Sequence, residues 1–129
     1  MKMEKVIPQN YSLAMFYYKK AAKQNYPRAQ RCLGILYANG HGVEKNVDKA
    51  FALYIKAAEQ GDEVAQCNVG YYYDNGISVD LDPVKANEWY EKVQIRDLLY
   101  HNIILHGIWK EESVPNRIIK SICAIRKSS

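Results

Sequence analysis

A 36-residue internal repeat constrains the fold of this 129-residue chain more than any other feature of its sequence. When the sequence is shifted by 36 positions, it aligns with itself without a gap. The residues that coincide are Ala29-Gln30 with Ala65-Gln66, Leu33-Gly34 with Val69-Gly70, Tyr37 with Tyr73, Asn39-Gly40 with Asn75-Gly76, Val43 with Val79, Lys49-Ala50 with Lys85-Ala86, and Tyr54 with Tyr90. A self-similarity of this period is typical of proteins in which one small structural unit stacks on the next.

Each unit is predicted to consist of two helices joined by a loop. Apolar residues recur at helical spacing, which predicts first helices over about 27–38 and 63–74. The Asn-Gly pairs that follow tolerate a positive φ and end a helix. Second helices are predicted over about 47–60 and 83–94, and Asp82-Pro83 supplies an N-cap followed by proline at the first helical position. The sequence therefore predicts an all-α fold.

Two glycines inside the first helices predict a close approach between helices. Gly34 and Gly70 interrupt apolar helical patterns, where glycine costs about 1 kcal/mol relative to alanine. We expect the second helix of the same hairpin to lie against them, with Tyr37 and Tyr73 filling the wider part of the gap. The small residues Ala50, Ala57 and Ala86 leave room for this approach. Because one such hairpin cannot bury its own apolar face, neighbouring hairpins must stack.

The repeated residues resemble the Sel1-like repeat family, a relative of the tetratricopeptide repeats. The first complete unit carries the resemblance through Ala29, Leu33-Gly34-Ile35-Leu36-Tyr37, Gly40-His41-Gly42-Val43, Lys49-Ala50, Tyr54-Ile55-Lys56-Ala57-Ala58 and Gly61, and the next unit through Ala65, Gly70, Tyr73, Gly76, Val79, Lys85-Ala86, Trp89-Tyr90 and Lys92. The chain departs from the family pattern where Ser78 replaces the second loop glycine and where Val93-Gln94 replaces Ala-Ala. The resemblance covers residues 11–94 approximately, and it implies an α-solenoid of antiparallel helix hairpins.

The same register divides the chain into five parts. Residues 1–10 form an N-terminal lead, residues 11–26 the second half of a repeat, and residues 27–62 and 63–94 two repeats. Residues 95–129 keep the spacing of apolar stretches and breaks found in the repeats but lack the residues of the repeat pattern. We interpret them as degenerate or capping helices. The alternative is a poorly folded tail, because Ile103, Ile104, Leu105 and Ile108 leave few polar positions for a solvent-facing side.

The histidines and the glycine-containing loop form no pattern that indicates catalysis or metal binding. His101 and His106 are five residues apart, whereas two ligands on one helix face need a spacing of three or four. Asp97 precedes His101 by four residues, so a metal or acid–base pair can be drawn there, but we interpret these residues as an ordinary surface pair. Gly40-His41-Gly42 lacks the Lys-Ser/Thr of a phosphate loop. We therefore predict no catalytic residues, no cofactor, no metal site and no small-molecule substrate.

The net charge, the apolar pattern and the cysteine content indicate which classes of partner and which compartment to expect. The net charge is +4, too small and too dispersed for a nucleic-acid footprint. No apolar run approaches the roughly 20 residues that a membrane span needs, and Pro8 interrupts the N-terminus before any signal-like apolar block. Cys32, Cys67 and Cys123 are an odd, sparse set, which predicts three reduced thiols and a cytoplasmic location.

The leading functional prediction is a non-enzymatic scaffold or adaptor for protein–protein interaction. In the resembling tetratricopeptide geometry, first helices line a concave surface that holds a protein or peptide. The outward positions of those helices here are Arg28, Arg31, Ile35, Asn39, Val64, Cys67, Tyr71, Asp74 and Asn75. Tyr71 and Arg31 are the preferred anchors, because both residue types are enriched where interface energy concentrates. The alternative is a regulatory repeat segment of a larger enzyme, such as a kinase-like protein.

Overall fold

The computed structural model describes residues 2–93 together with Ile119, Lys120 and Cys123, and it describes side chains from Tyr11 onward. This part of the chain forms five helices and no strand, in the order α1 (Lys2–Lys23), α2 (Pro27–Asn39), α3 (Val47–Glu59), α4 (Glu63–Asn75) and α5 (Pro83–Lys92). Each helix packs against the next one along the chain. The predicted all-α solenoid is confirmed, and the helix ends lie within two residues of their predicted positions.

Polar side chains and glycines set the ends of the helices, as the sequence predicts. Asp62 and Asp82 cap α4 and α5, because their carboxylates accept hydrogen bonds from the backbone N–H groups three residues later, at 2.9 and 3.1 Å. Asn46 caps α3 in the same way at 3.0 Å. Helices α2 and α4 end at Gly40 and Gly76, both with a left-handed backbone. Local sequence signals therefore account for where the helices begin and end.

The glycines of the first helices face tyrosine rings of the second helices. A Cβ added at Gly34 would lie 2.7 Å from Cε1 of Tyr54 and 3.3 Å from the carbonyl oxygen of Ala50. At Gly70 the added atom would lie 2.7 Å from Cε1 of Tyr90. The structure confirms the predicted approach within each hairpin. It also shows that the ring above each glycine belongs to the second helix, a detail that the sequence analysis did not assign.

Consecutive hairpins meet through aromatic contacts and a buried amide contact. Tyr72 of α4 packs edge-on against Tyr54 and stacks with Phe51 of α3, with ring centroids 5.5 and 5.9 Å apart. The buried amide of Gln66 in α4 donates from Nε2 to the carbonyl oxygen of Ala58 in α3 at 3.2 Å. The stacking of one repeat on the next thus depends on contacts between the second helix of one repeat and the first helix of the next.

Two of the three cysteines form a disulfide. Cys67 of α4 bonds to Cys123, 56 residues further along the chain, whereas Cys32 is free and half-buried. The prediction of three reduced thiols is therefore wrong for this pair, because the chain returns to α4 after residue 93 and brings the two sulfurs together. The predicted cytoplasmic location was based on three reduced thiols, so the disulfide removes its support.

Several predictions fall outside the described part of the chain. They include the capping helices assigned to 95–129, apart from Ile119, Lys120 and Cys123, and the group of Asp97, His101 and His106. Within the described residues, no helix is both long and apolar enough to span a membrane.

Candidate binding face of the first helices

The predicted site residues lie on one side of α2 and of α4. Arg28, Arg31, Ile35 and Asn39 correspond, one repeat later, to Val64, Cys67, Tyr71 and Asn75, and Asp74 joins the second group. At 100° per residue, these positions cover an arc of about 80° on α2 and about 100° on α4. We call this set of nine residues the α2–α4 face.

The nine residues differ in how far solvent reaches them. Arg28, Asn39, Tyr71 and Asn75 are exposed, with Tyr71 retaining 40% of its surface. Arg31, Ile35, Val64 and Asp74 are half-buried, and Cys67 is buried. The face therefore presents a few polar or aromatic side chains above a partly buried apolar floor.

Arg31 connects α2 to the start of α4. Its Nε lies 3.1 Å from Oδ2 of Asp62, and its Nη2 donates to Oδ1 of the same carboxylate at 3.4 Å. The carboxylate of Asp62 also caps α4. The preference for Arg31 as a partner-binding anchor is thus corrected, because its guanidinium is engaged in a contact between repeats. An aspartate directly before α4 is a local signal for a cap, but the sequence does not show that its carboxylate also pairs with a guanidinium 31 residues away.

Cys67 does not present a side chain to a partner. It keeps only 2% of its surface and is bonded to Cys123. Its inclusion among the exposed residues of the face is therefore wrong. Helical spacing placed it correctly on this side of α4, but the return of the chain to the same side covers it.

Lys120 lies over the end of the face that Asp74 occupies. Its Nζ is 2.6 Å from Oδ2 of Asp74 and 6.0 Å from the ring centroid of Tyr90. Ile119 and Cys123 on either side of it are buried, at 7% and 5% exposure, in a cluster with Val93, Ala86 and Tyr90. We call Ile119, Lys120 and Cys123 the C-terminal segment, which the sequence analysis did not place here.

The floor beneath Lys120 is aromatic and acidic. Burial, with smaller contributions from the Asp74 carboxylate and Tyr71, raises the pKa of Tyr90 from 10.0 to about 12. Its phenol is therefore uncharged at neutral pH. An ammonium group placed here meets a carboxylate on one side and the π-face of a neutral ring on the other.

Two buried amide oxygens of α4 accept no hydrogen bond from the described residues, namely Oδ1 of Asn68 and Oε1 of Gln66. Asn68 precedes Tyr71 by three residues and so lies on a neighbouring part of the same side of the helix. A buried acceptor without a donor costs about 1–3 kcal/mol. Asn68 lies about 120° around α4 from Asp74, so this acceptor is not part of the acidic end of the face.

Comparison with known protein families gives one result that spans most of the described residues. The sequence pattern of the Sel1 repeat matches residues 5–26, 27–62 and 64–92. The first two matches meet at the boundary between α1 and α2, and the third covers α4 and α5. No curated protein sequence matches the chain.

Solved structures with the same repeat resemble the chain. A Sel1 repeat protein from Oxalobacter formigenes is 47% identical, with a TM-score of 0.58 over 59% of this chain and 57% of its own. A protective antigen present in uropathogenic Escherichia coli strains, which displays an SLR fold, is 27% identical, with a TM-score of 0.65 over 92% of this chain and 26% of its own. The chain thus spans about half of the first structure's length and about a quarter of the second's.

Proposed function

Because the chain belongs to the Sel1 repeat family, whose repeats generally act as protein-interaction scaffolds, we propose that it is a non-enzymatic scaffold or adaptor. Its partner is a protein or peptide that binds the α2–α4 face. The observation that carries the proposal is a set of exposed side chains along one side of two successive first helices. Arg28, Asn39, Tyr71 and Asn75 are exposed on one side of two consecutive repeats, and stacked repeats characteristically bind along such extended surfaces.

Tyr71 is the best-supported anchor on this face. It is exposed, it lies three residues before the half-buried Asp74 on the same side of α4, and it is close enough to the buried Tyr90 to help raise the pKa of that phenol. A tyrosine supplies a large apolar surface and a polar tip with few rotatable bonds, which is why this residue type is enriched in energetically dominant contacts. Arg28 offers an exposed guanidinium on α2 and replaces Arg31 as the basic anchor of the proposal.

The alternative, a regulatory segment of a larger enzyme, would use the same face and differ only in what is joined to the repeats. The cytoplasmic location stays a prediction that depends on the redox state of Cys67 and Cys123. Mass spectrometry of alkylated protein taken from its cells measures that state directly, and a disulfide in most of the protein would contradict a reducing compartment.

Affinity capture with matched variants tests the proposed function. Tyr71→Ala and Arg28→Ala should each weaken binding of a captured partner, Tyr71→Ala by about thirtyfold or more, because truncating an anchor typically costs 2 kcal/mol or more. Glu88→Ala is the matched control, since Glu88 is exposed on α5 and lies outside the face. Dissociation constants are measured by calorimetry, with helicity checked by circular dichroism.

The opposite pattern would contradict the proposal. If Glu88→Ala abolished binding while Tyr71→Ala and Arg28→Ala left the dissociation constant unchanged, the partner would bind the second helices instead. The repeat fold would be unaffected by that outcome.

A further inference from the structure

The C-terminal segment of the chain already occupies part of the α2–α4 face. We propose that the part around Asp74, Tyr71 and Tyr90 is a lysine-binding site, and that Lys120 is its intramolecular ligand. A partner that binds there carries a lysine directly preceded by an apolar residue, as Ile119 precedes Lys120. The inference rests on the proposed function and specifies which chemistry this end of the face recognises.

The contacts of Lys120 define the lysine site. The ammonium lies 2.6 Å from the Asp74 carboxylate, at the distance of a charge-assisted hydrogen bond. It also lies 6.0 Å from the centroid of the Tyr90 ring, at the outer limit of a cation–π contact. The Asp74 side chain keeps 20% of its surface and the Lys120 side chain 45%, so solvent screens this pair less than a fully exposed pair and more than a buried one.

The apolar neighbours of Lys120 define the rest of the ligand. Ile119 and Cys123 are buried against Val93, Ala86 and Tyr90. Both residues are helical and lie four apart, which is the spacing of positions that share one side of a helix. A ligand for this site is therefore a short amphipathic segment. Its apolar side packs beside α5, and its lysine pairs with Asp74.

The polar groups at this end of α4 favour a cationic donor over an acidic ligand. Asp74 contributes a half-buried carboxylate, which attracts an ammonium group and repels another carboxylate. This part of the face therefore selects against acidic peptides.

The disulfide holds the intramolecular ligand in place. Tethering converts its binding into an intramolecular event with an effective concentration in the millimolar range, so an external segment competes poorly while Cys67 and Cys123 are joined. A dithiol opens the site by thiol–disulfide exchange, in which it is oxidised to its own disulfide while Cys67 and Cys123 become two thiols. Both sulfurs are buried, so the C-terminal segment must move away from α4 before a thiolate reaches them.

A peptide-binding experiment on the full chain tests the inference. The probes are a peptide with the chain's own sequence over residues 116–126, carrying serine in place of Cys123, and the same peptide with alanine in place of Lys120. The receptor is the full chain with Lys120→Ala and Cys123→Ser, which frees the site. We expect the lysine peptide to bind this receptor at least about tenfold more tightly than it binds the oxidised native chain. We also expect the lysine peptide to bind the receptor about tenfold more tightly than the alanine peptide binds it.

Asp74→Asn in the same receptor should remove the difference between the two peptides. Comparing the native chain with and without a dithiol reductant gives a second measurement that needs no substitution, and reduction should increase binding of the lysine peptide. The inference would be overturned if the lysine peptide bound neither the substituted receptor nor the reduced native chain. It would also be overturned if both peptides bound equally well, or if Asp74→Asn left the difference between them unchanged. A partner that binds the oxidised native chain through Tyr71 and Arg28 would leave the proposed function standing even then.

Discussion

At the scale of single residues, a glycine–tyrosine pair in each hairpin sets how closely its two helices approach. The rings of Tyr54 and Tyr90 lie where a side chain at Gly34 and Gly70 would have to be. The sequence predicted a close approach, because a glycine repeated inside an apolar helical pattern needs a packing reason. It did not identify the ring, since each repeat offers several tyrosines at helical spacing.

Gly70→Ala should destabilise the fold by about 1–3 kcal/mol, the usual cost of overpacking. The new Cβ would meet the Tyr90 ring at 2.7 Å, so the ring or the helix must move. Alanine is the better helix former by about 1 kcal/mol, so a loss of stability cannot come from helix propensity. The free energy of unfolding is measured by urea denaturation.

The control for this substitution is the same change in a Tyr90→Ala background. With the ring removed, Gly70→Ala should become neutral or stabilising, and the double-mutant cycle isolates the contact. A cost that persists without the ring would show that something other than Tyr90 requires the glycine.

The buried phenol of Tyr90 predicts sensitivity to alkaline pH. Its pKa is raised from 10.0 to about 12, chiefly by burial, so the folded state holds the proton more tightly than the unfolded state. The resulting stabilisation is fully present below pH 10 and is lost as the pH rises through about 12. Urea denaturation across this range should show a falling free energy of unfolding in the native chain and a shallower fall in Tyr90→Phe. Equal slopes would mean that Tyr90 does not titrate differently in the two states.

At the scale of elements, the loop between α4 and α5 departs from its counterpart between α2 and α3. Ser78 stands where the first loop has Gly42, and both residues have a positive φ, of 66° and 76°. A left-handed backbone is costly for a residue with a Cβ. The Ser78 hydroxyl donates to the Asp48 carboxylate at 2.7 Å, which links this loop to the first turn of α3 and offsets part of that cost.

Ser78→Ala should lower stability by about 1 kcal/mol, because it keeps the left-handed backbone and removes the hydrogen bond. Ser78→Gly is the matched control and should cost less, since it removes the same bond but relieves the backbone. Thermal melting of both variants separates the loss of the hydrogen bond from the cost of the left-handed backbone. If alanine and glycine had equal effects, the left-handed backbone at this position would carry no measurable cost.

At the scale of the whole molecule, the sequence predicted what is local and periodic and missed what is long-range and unique. Helix ends follow from residues within a few positions of one another, and the predicted ends agree with the structure to within two residues. The pairing of Arg31 with Asp62 and the disulfide between Cys67 and Cys123 join residues 31 and 56 positions apart. Neither contact recurs at the repeat period, so periodicity could not reveal them.

The same distinction explains the outcome for the candidate site. Helical spacing placed nine residues on one side of α2 and α4, but it could not show which of them other parts of the chain cover. Cys67 and Asp74 are contacted by the C-terminal segment, and Arg31 by the turn before α4. Arg28, Asn39, Tyr71 and Asn75 remain as the accessible part of the face.

Mapping a captured partner onto the chain by NMR tests the central claim, that partners bind the first helices, most directly. Backbone amide shifts of the labelled full chain are recorded as unlabelled partner is added. The proposed function predicts perturbations concentrated at Arg28, Asn39, Tyr71 and Asn75, with the exposed second-helix residues Lys49 and Glu88 unchanged. Perturbations confined to α3 and α5, with the α2–α4 face unchanged, would contradict the claim.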